Sequence, residues 1–543
     1  MMPPPPRLDI PMAELEALLE RAKAGPLSEV DYATLKAALA TLGYLTELLE
    51  DRTTTLQRLR HLLFGARTET TRTVLPSAPA AEEGTAASPT GDARAAAPRP
   101  GHGRNGVPTY AGAQQVKVPH ATFQTGDRCP ECRKGKVYPQ REPAVLVRVV
   151  GQAPLGATVY TLERFRCNLC GEVFTAEPPA GVGREKYDAS AGSMIALLKY
   201  GSGLPFHRLE QLQGSVGIPL PAATQWEIVA EVAAQLHPAY AELIRQAAQG
   251  EVLHNDDTRA TILAFARGPT EGEPSQESPA RTGTFTSGIV ATREGREIAC
   301  FFTGRQHAGE NLADVLQQRA AALGPPIQMC DALARNVPAT FQVILSNCLA
   351  HARRQFVEIA PAFPDECRIV LETLRDVYRH DATAKAEGLT PAARLALHQA
   401  QSGPRMAELH AWLTAQVAER RVEPNSALGK AIAYLRTHWE PLTRFLHVAG
   451  APLDNNVAER ALKKAILHRK ASLFFKTIRG AHVGDLFMSL IYTCQRTGAD
   501  PFHYLTTLQT HAGALAAAPQ DWLPWTYSDT LARAAAAPGP STT

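Results

Sequence analysis

Glu251-Val252-Leu253-His254-Asn255-Asp256-Asp257-Thr258 opens on apolar residues and closes on acids. It reads as a strand that leaves a core with carboxylates at its far end. Ile262-Leu263-Ala264-Phe265 reads as its continuation. After a polar, Gly/Pro-rich excursion (Gly268 to Arg281), two more strands are expected, Thr284 to Ala291 and Glu297 to Phe302. A helix from Glu310 to Ala321 follows, then a short apolar strand, Pro326-Ile327-Gln328-Met329-Cys330, ending on Asp331. Another strand, Phe341 to Leu345, leads into a helix that starts near Cys348-Leu349-Ala350-His351-Ala352-Arg353-Arg354.

Three strands, a helix, a strand, then a further strand and helix is the order of a ribonuclease H core. In that fold acids on the first and fourth strands lie side by side, and Asp256 and Asp331 occupy those places. A third acid stands far downstream, in Asp454-Asn455-Asn456-Val457-Ala458-Glu459-Arg460. With Asp454 as N-cap, the residues that follow favour a helix. Glu459, Lys463, Ile466 and Lys470 then share one face. From Arg460 to His482 the chain has four lysines, three arginines and no acid, a local phosphate-binding footprint. Residues 365–450 are helical in composition, so a helical insertion explains the distance from Asp331 to Glu459.

Taken singly, an aspartate at a strand end is more often a turn or cap residue, and a basic helix face is more often solvated. Together, three carboxylates beside basic residues suit two Mg²⁺ ions, with Mn²⁺ as a substitute, because these hard cations take oxygen ligands and keep waters. Two such ions serve both oxygens of an in-line phosphodiester displacement. Lys463, Lys470, Arg460 and Arg469 are candidate phosphate contacts. Arg353 and Arg354 are equally well read as solvated arginines. His351 follows Cys348 at a possible ligand spacing, but reads better as the packed start of a helix.

Upstream, Cys129-Pro130-Glu131-Cys132 and Cys167-Asn168-Leu169-Cys170 bracket two strand-like runs, Ala144 to Val150 and Ala157 to Phe165. Two such knuckles supply Cys129, Cys132, Cys167 and Cys170 as four ligands of one structural Zn²⁺ in a zinc ribbon. Leu35, Leu42, Leu49, Leu56 and Leu63 repeat every seven residues, with Ala38, Leu45, Arg52 and Leu59 as a second seam. This is a coiled-coil pattern, and a homodimer or higher oligomer is expected from it. A helix packed on its own protein is the alternative. Residues 75–108 are rich in Pro, Ala, Gly and Ser and read as a linker. Pro205 to Val229 contains two helices about a Gly217-Ile218-Pro219 break, a possible helix-turn-helix, though two helices joined by a turn are far more often plain packing.

The 543 residues are too many for one core. A net charge of +3 makes no case for nucleic acid, so that case rests on local clusters. No apolar run reaches membrane length and no signal-peptide pattern opens the chain. A soluble cytoplasmic protein with no membrane partner is expected. The fold class read from all this is multidomain α+β. Its expected parts are an N-terminal helical region (1–74), linker (75–108), zinc ribbon (109–182) and helical domain (183–250). Then come the first part of a ribonuclease H-like core (251–364), its helical insertion (365–450), the rest of the core with the Glu459 helix (451–498), and a C-terminal segment (499–543).

Over nearly its whole length the chain resembles the insertion sequence 66 family of bacterial transposases. The likeness is carried by Leu62-Leu63-Phe64-Gly65, Gly101-His102-Gly103-Arg104, the paired knuckles, Lys199-Tyr200 with Leu204-Pro205, and His254 to Thr258. It continues through Cys348 to Arg354, the block from Asp454 to Lys470, Asp500-Pro501-Phe502-His503-Tyr504-Leu505 and Leu523-Pro524-Trp525. The resemblance implies a DDE transposase with Asp256, Asp331 and Glu459 as its acids. It would cleave DNA at the ends of its element and join the freed 3′-hydroxyl to target DNA, helped by small accessory proteins. Two departures stand out: the family usually has Asp-Glu-Thr where this chain has Asp256-Asp257-Thr258, and Gly-Tyr where Ala332-Leu333 follows Asp331. A DNA-binding protein or silent copy of the same fold, and a nuclease without strand transfer, are the other readings.

Overall fold

The structure, a computed structural model, describes residues 21–22, 28–37, 122, 124–138, 153–166, 173–183, 185–266 and 283–536. Two compact units divide the chain, one of Met1–Ala78, Leu162–Gln211 and Leu220–Thr543, the other of Pro79–Thr161 and Leu212–Pro219. The leucine seam beyond residue 37, the linker 75–108, the run 144–150 and both Cys167 and Cys170 lie outside the described residues.

The larger unit is mixed α+β and is built on one five-stranded sheet. Its strands are β1 (Val252–Arg259), β2 (Phe285–Arg293), β3 (Arg296–Gly304), β4 (Ile327–Cys330) and β5 (Ile344–Asn347), in spatial order β3-β2-β1-β4-β5. β1, β2 and β3 form an antiparallel meander, whereas β4 and β5 run parallel to β1. The meander turns tightly through Glu294-Gly295, both at positive φ, as a two-residue hairpin requires. The parallel strands need a crossover, supplied by α2 (Ala308–Leu316). α2 sits tight because Gly309 has no side chain: a Cβ there would fall 2.6 Å from the carbonyl oxygens of Arg335 and Val337.

Where the segments differ from expectation, a local cause is visible. Ile262–Phe265 does not extend β1. Ile262 makes a single parallel bridge to Phe475, and Leu263–Ala266 coils into one helical turn. Residues 157–163 form no ladder, and a short hairpin, Arg164–Arg166 with Val173–Thr175, flanks the second cysteine knuckle instead. The fifth strand begins three residues later than expected because Ile344 enters register opposite Ile327.

Among the helices around the sheet are α1 (Ala222–Ala248), α3 (Leu349–Ile359), α4 (Pro364–Ala386), α5 (Gly403–Ala418), α6 (Ala427–Thr437) and α7 (Asn456–Ser472). Another, α8 (Ile478–Thr497), covers the open edge of β3. Asp485, Ser489 and Thr493 recur every four residues along one face of α8. They accept the backbone N–H groups of Thr303, Phe301 and Ala299 at 2.7, 2.9 and 3.0 Å. Alternate amides of an edge strand, which would otherwise invite pairing with another chain, are thus satisfied by side chains. Burial pushes the Asp485 carboxyl up to about 7, although Thr303 holds it down with its hydroxyl and amide.

The helices from α4 to α6 share an apolar core with β4 and α3, in which Leu371, Leu374, Met406, Leu413, Ile432 and Phe445 are buried beside Ile327, Leu349 and Phe356. At one end Asp381 is nearly inaccessible and meets Lys385 at 2.8 Å and Arg394 at 2.7 Å. Burial works against its charge, but hydrogen bonds from His398 and Lys385, with Arg394, win and hold the carboxyl well below the usual range. Arg394 also donates to the Ala451 carbonyl at 2.7 Å, tying the insertion to the segment that leads into α7.

Candidate active site

Strand alternation decides which way the acids face. His254 of β1 aligns with Met329 of β4 in the parallel ladder, so Asp256 and Asp331 each lie two residues beyond an aligned pair. A period of two places both at one level and on one side of the sheet. Asp256 lies opposite Gly288 of β2. A Cβ on Gly288 would stand 3.0 Å from Leu462 of α7, so the missing side chain lets α7 settle onto the sheet beside Asp256. Glu459 precedes Leu462 by three residues and therefore shares its face.

α7 is fastened along β1 at both ends. Its N-cap is Asn455 rather than Asp454, and the Asn455 side chain turns inward instead of capping. Its amide donates to the Asn255 carbonyl at 3.0 Å, and its oxygen faces His254 Nδ1 at 3.2 Å, so the ring carries its proton there. The Asn455 N–H donates to Cys348 Sγ at 3.2 Å, while Asp454 accepts from the Asn456 N–H at 3.1 Å. Burial drives His254 down to about 4, ahead of the Asn455 bond that favours its charge; the ring is neutral at pH 7. Near the other end, Arg469 donates to Thr258 Oγ1 at 3.0 Å and to the Arg259 carbonyl. Ala458, Ala461, Leu462, Ala465 and His468 are buried beneath α7, whereas Arg460, Lys463 and Lys470 are exposed.

Asp257 points to the opposite side. Its carboxylate is 3% exposed and is bound by His307 Nδ1 at 2.9 Å and Arg335 at 3.3 Å. The two neighbouring acids are thereby separated: Asp257 is covered by half-buried His307 and exposed Arg335, and Asp256 faces α7. Burial first, then the charges of Asp331, Asp257 and Glu459, push the Asp256 carboxyl up to about 7, against the Asp257 N–H that holds it down. Asp331 accepts from the Leu333 N–H at 3.2 Å and from the Asn336 side chain. Glu459 is about a third exposed, with His351 Nε2 3.8 Å from its Oε1. His351 thus sits against the acids, and its Nδ1 is buried without a hydrogen-bond partner among the described residues. Arg353 is half-buried and Arg354 exposed on the same helix.

No three His, Cys, Asp or Glu side chains among the described residues stand at ligating distance of a common point. The donor set of Asp256, Asp331 and Glu459 nonetheless has the chemistry Mg²⁺ prefers. It is oxygen only, and Mg²⁺ needs just one or two carboxylates beside water and substrate phosphate. At the first cysteine knuckle, in the smaller unit, the Gly135 N–H donates to Cys132 Sγ at 3.3 Å and the Cys129 N–H to the Gly135 carbonyl at 2.9 Å. Backbone N–H groups of Gly135 and then Lys134, followed by the Cys129 thiol, lower the Cys132 thiol toward the thiolate that zinc takes.

A mixed five-stranded sheet bearing grouped carboxylates under a basic helix defines the class to which comparison should be made, and comparison places the chain. It belongs to the family described as Transposase IS66 family, whose model matches residues 184–483. Among curated proteins it is 26% identical over 359 residues to the uncharacterized protein y4jD of Sinorhizobium fredii (strain NBRC 101917 / NGR234), covering 63% of this chain and 66% of that one. It is 27% identical over 373 residues to y4hP of the same organism, covering 63% of each. These matches span just under two thirds of the relatives' length. No helix among the described residues is long and apolar enough to cross a membrane.

Proposed function

We propose that the protein is a DNA transposase of a bacterial insertion sequence that cleaves at the ends of its element and transfers the freed strand to target DNA. The observation that carries this reading is the convergence of Asp256, Asp331 and Glu459 on one side of the sheet, with Asp256 raised to about 7 by burial and by the other acids. Carboxylates that repel one another make a poor structural feature, and membership of a transposase family gives them a use. On this reading the sheet is a ribonuclease H-like core. Asp256, Asp331 and Glu459 would hold two Mg²⁺, or Mn²⁺, which supply charge neutralisation and activation of the attacking and leaving oxygens.

The chain's own residues do the rest. Lys463, Lys470 and Arg460 contact phosphates from the exposed side of α7, with Arg353 and Arg354 contributing from α3. Arg469, already bonded to Thr258 and Arg259, supports them by holding α7 to β1. His351 faces Glu459 and holds its carboxylate in place. A Zn²⁺ on Cys129, Cys132, Cys167 and Cys170 would organise a ribbon that contacts element ends. The N-terminal leucine seam would pair two protomers, and small accessory proteins would assist.

Mn²⁺ titration followed by electron paramagnetic resonance, run beside nicking of supercoiled plasmid, tests the assignment. The wild type should bind Mn²⁺ and nick. Asp256→Asn, Asp331→Asn and Glu459→Gln should each weaken metal binding and lower nicking by roughly a thousandfold. Unchanged Mn²⁺ affinity in all three would overturn the ligand set.

A further inference from the structure

Three large apolar side chains stand in solvent within eight residues at the end of α7: Leu467 is 45% exposed, Leu473 66% and Phe474 39%. Leu473 lies at φ 68°, ψ −44°, and the Phe474 N–H donates to the Ser472 carbonyl at 2.8 Å. This is a γ-turn of positive φ, a rare and strained conformation for a leucine. Such strain persists only where the surroundings enforce it, and here both flanks are fixed. The Leu473 N–H donates to the Arg469 carbonyl at 2.8 Å. Phase by phase beyond the turn, the Phe475 N–H meets the Thr261 carbonyl at 2.8 Å, the Leu263 N–H meets the Phe475 carbonyl at 2.9 Å and the Ala264 N–H meets the Lys476 carbonyl at 3.1 Å. The Phe475 ring stacks on buried His468 with centroids 4.5 Å apart. Leu473 and Phe474 are the two residues forced outward between these anchors.

Their surroundings name the occupant. Lys470, Lys476 and Arg479 are exposed around them, and no acid interrupts the chain from Arg460 to His482. An apolar pair inside a cationic rim suits a polyanion that offers apolar planes, which is a nucleic acid; apolar wedges between base steps are a recurrent means of unstacking DNA. We propose that Leu473 and Phe474 form a wedge that enters the base stack of the DNA held along α7. The wedge rests on the transposase reading, since it needs DNA on this face, but nothing in that reading requires the DNA to be unstacked here. Its effect would be to unstack the duplex at the end of α7 away from Glu459, about 20 Å along the helix axis from that acid.

The test uses full-length protein and duplexes of the sequence flanking its gene, each with one 2-aminopurine, read by fluorescence and by anisotropy. The wild type should bind and raise the fluorescence at one or two steps several-fold. Leu473→Gly retains a residue suited to positive φ and removes the side chain, so it should fold normally yet lose most of that rise. Phe474→Ala should do the same, with affinity reduced by roughly five- to a hundredfold, as for one stacking contact. Wild-type binding without a fluorescence rise, or a rise undiminished in both variants, would overturn the wedge and leave DNA binding intact. Variants that lower the assembly mass in sedimentation while the rise persists would assign the pair to a protein contact instead. Failure of the wild type to bind any of the duplexes would overturn the transposase reading and the wedge with it.

Discussion

Asp256 and Asp257 are chain neighbours with opposite surroundings, because successive side chains of β1 leave opposite faces of the sheet. Asp257 is bound by His307 and Arg335; Asp256 meets burial and other carboxylates. A carboxyl raised in the fold stabilises it only while protonated, and that contribution disappears as pH rises from about 4 through about 7. Asp256→Asn should therefore match the wild type in thermal stability near pH 4. Without divalent metal it should exceed the wild type by roughly 2–4 kcal/mol above pH 8, and added Mg²⁺ should narrow the gap. Thermal unfolding across pH checks this; a variant less stable than wild type at pH 8 would contradict it. Asp257→Asn should instead destabilise at pH 7 by about 1 kcal/mol, since it removes the carboxylate bound to half-buried His307 and exposed Arg335. Its place on the first strand and the family resemblance mark Asp256 as the acid; what sequence could not supply was the partner set of Asp257, because His307 and Arg335 are remote in the chain. The Asp454 cap was misplaced by one residue for a similar reason: Asn455 is drawn inward by His254 and Asn255, both two hundred residues away in the chain.

At the scale of elements, the position of α7 is set by an absence and two clamps: the missing side chain of Gly288, Asn455 at one end and Arg469 at the other. Gly288→Val would push Leu462 outward and carry Glu459 with it. We expect at least tenfold loss of DNA cleavage together with weaker Mn²⁺ binding, because Glu459 leaves the strand acids, both measurable on the same preparation. Full cleavage by Gly288→Val would mean that the seating of α7 does not matter. α8 makes a separate prediction. Ser489→Ala leaves the Phe301 N–H without its acceptor inside the protein, so unfolding free energy should fall by about 1–3 kcal/mol, read from denaturant midpoints. The helical character of α7 was legible from residue type, and its apolar and basic faces from spacing. The every-fourth-residue polar row on α8 was equally present in sequence, but amphipathic reading treats Asp485, Ser489 and Thr493 as solvent-facing. Only the edge of β3 shows what they satisfy.

For the whole molecule, the order of strands along the chain was enough to anticipate the sheet, because a meander followed by crossovers leaves few topologies open. The helical character of residues 365–450 was legible too, from composition. What stayed hidden were the places where distant segments meet: Ile262 with Phe475, Arg394 with Ala451, and His351 with Glu459. Each joins parts of the chain that no local pattern connects. Those joints bring an acid from the far side of an 86-residue helical stretch (365–450) back to the strands. The central claim is that the three acids so gathered cut DNA. The most direct test incubates full-length protein, with Mg²⁺ and any small proteins encoded beside it, with linear DNA carrying the flanks of its gene, and maps every new 3′ end. Cleavage at the element boundary by the wild type, lost in Glu459→Gln while both proteins bind the DNA, is the predicted result. Equal cutting by Glu459→Gln, or binding by the wild type with no new 3′ end, would contradict it.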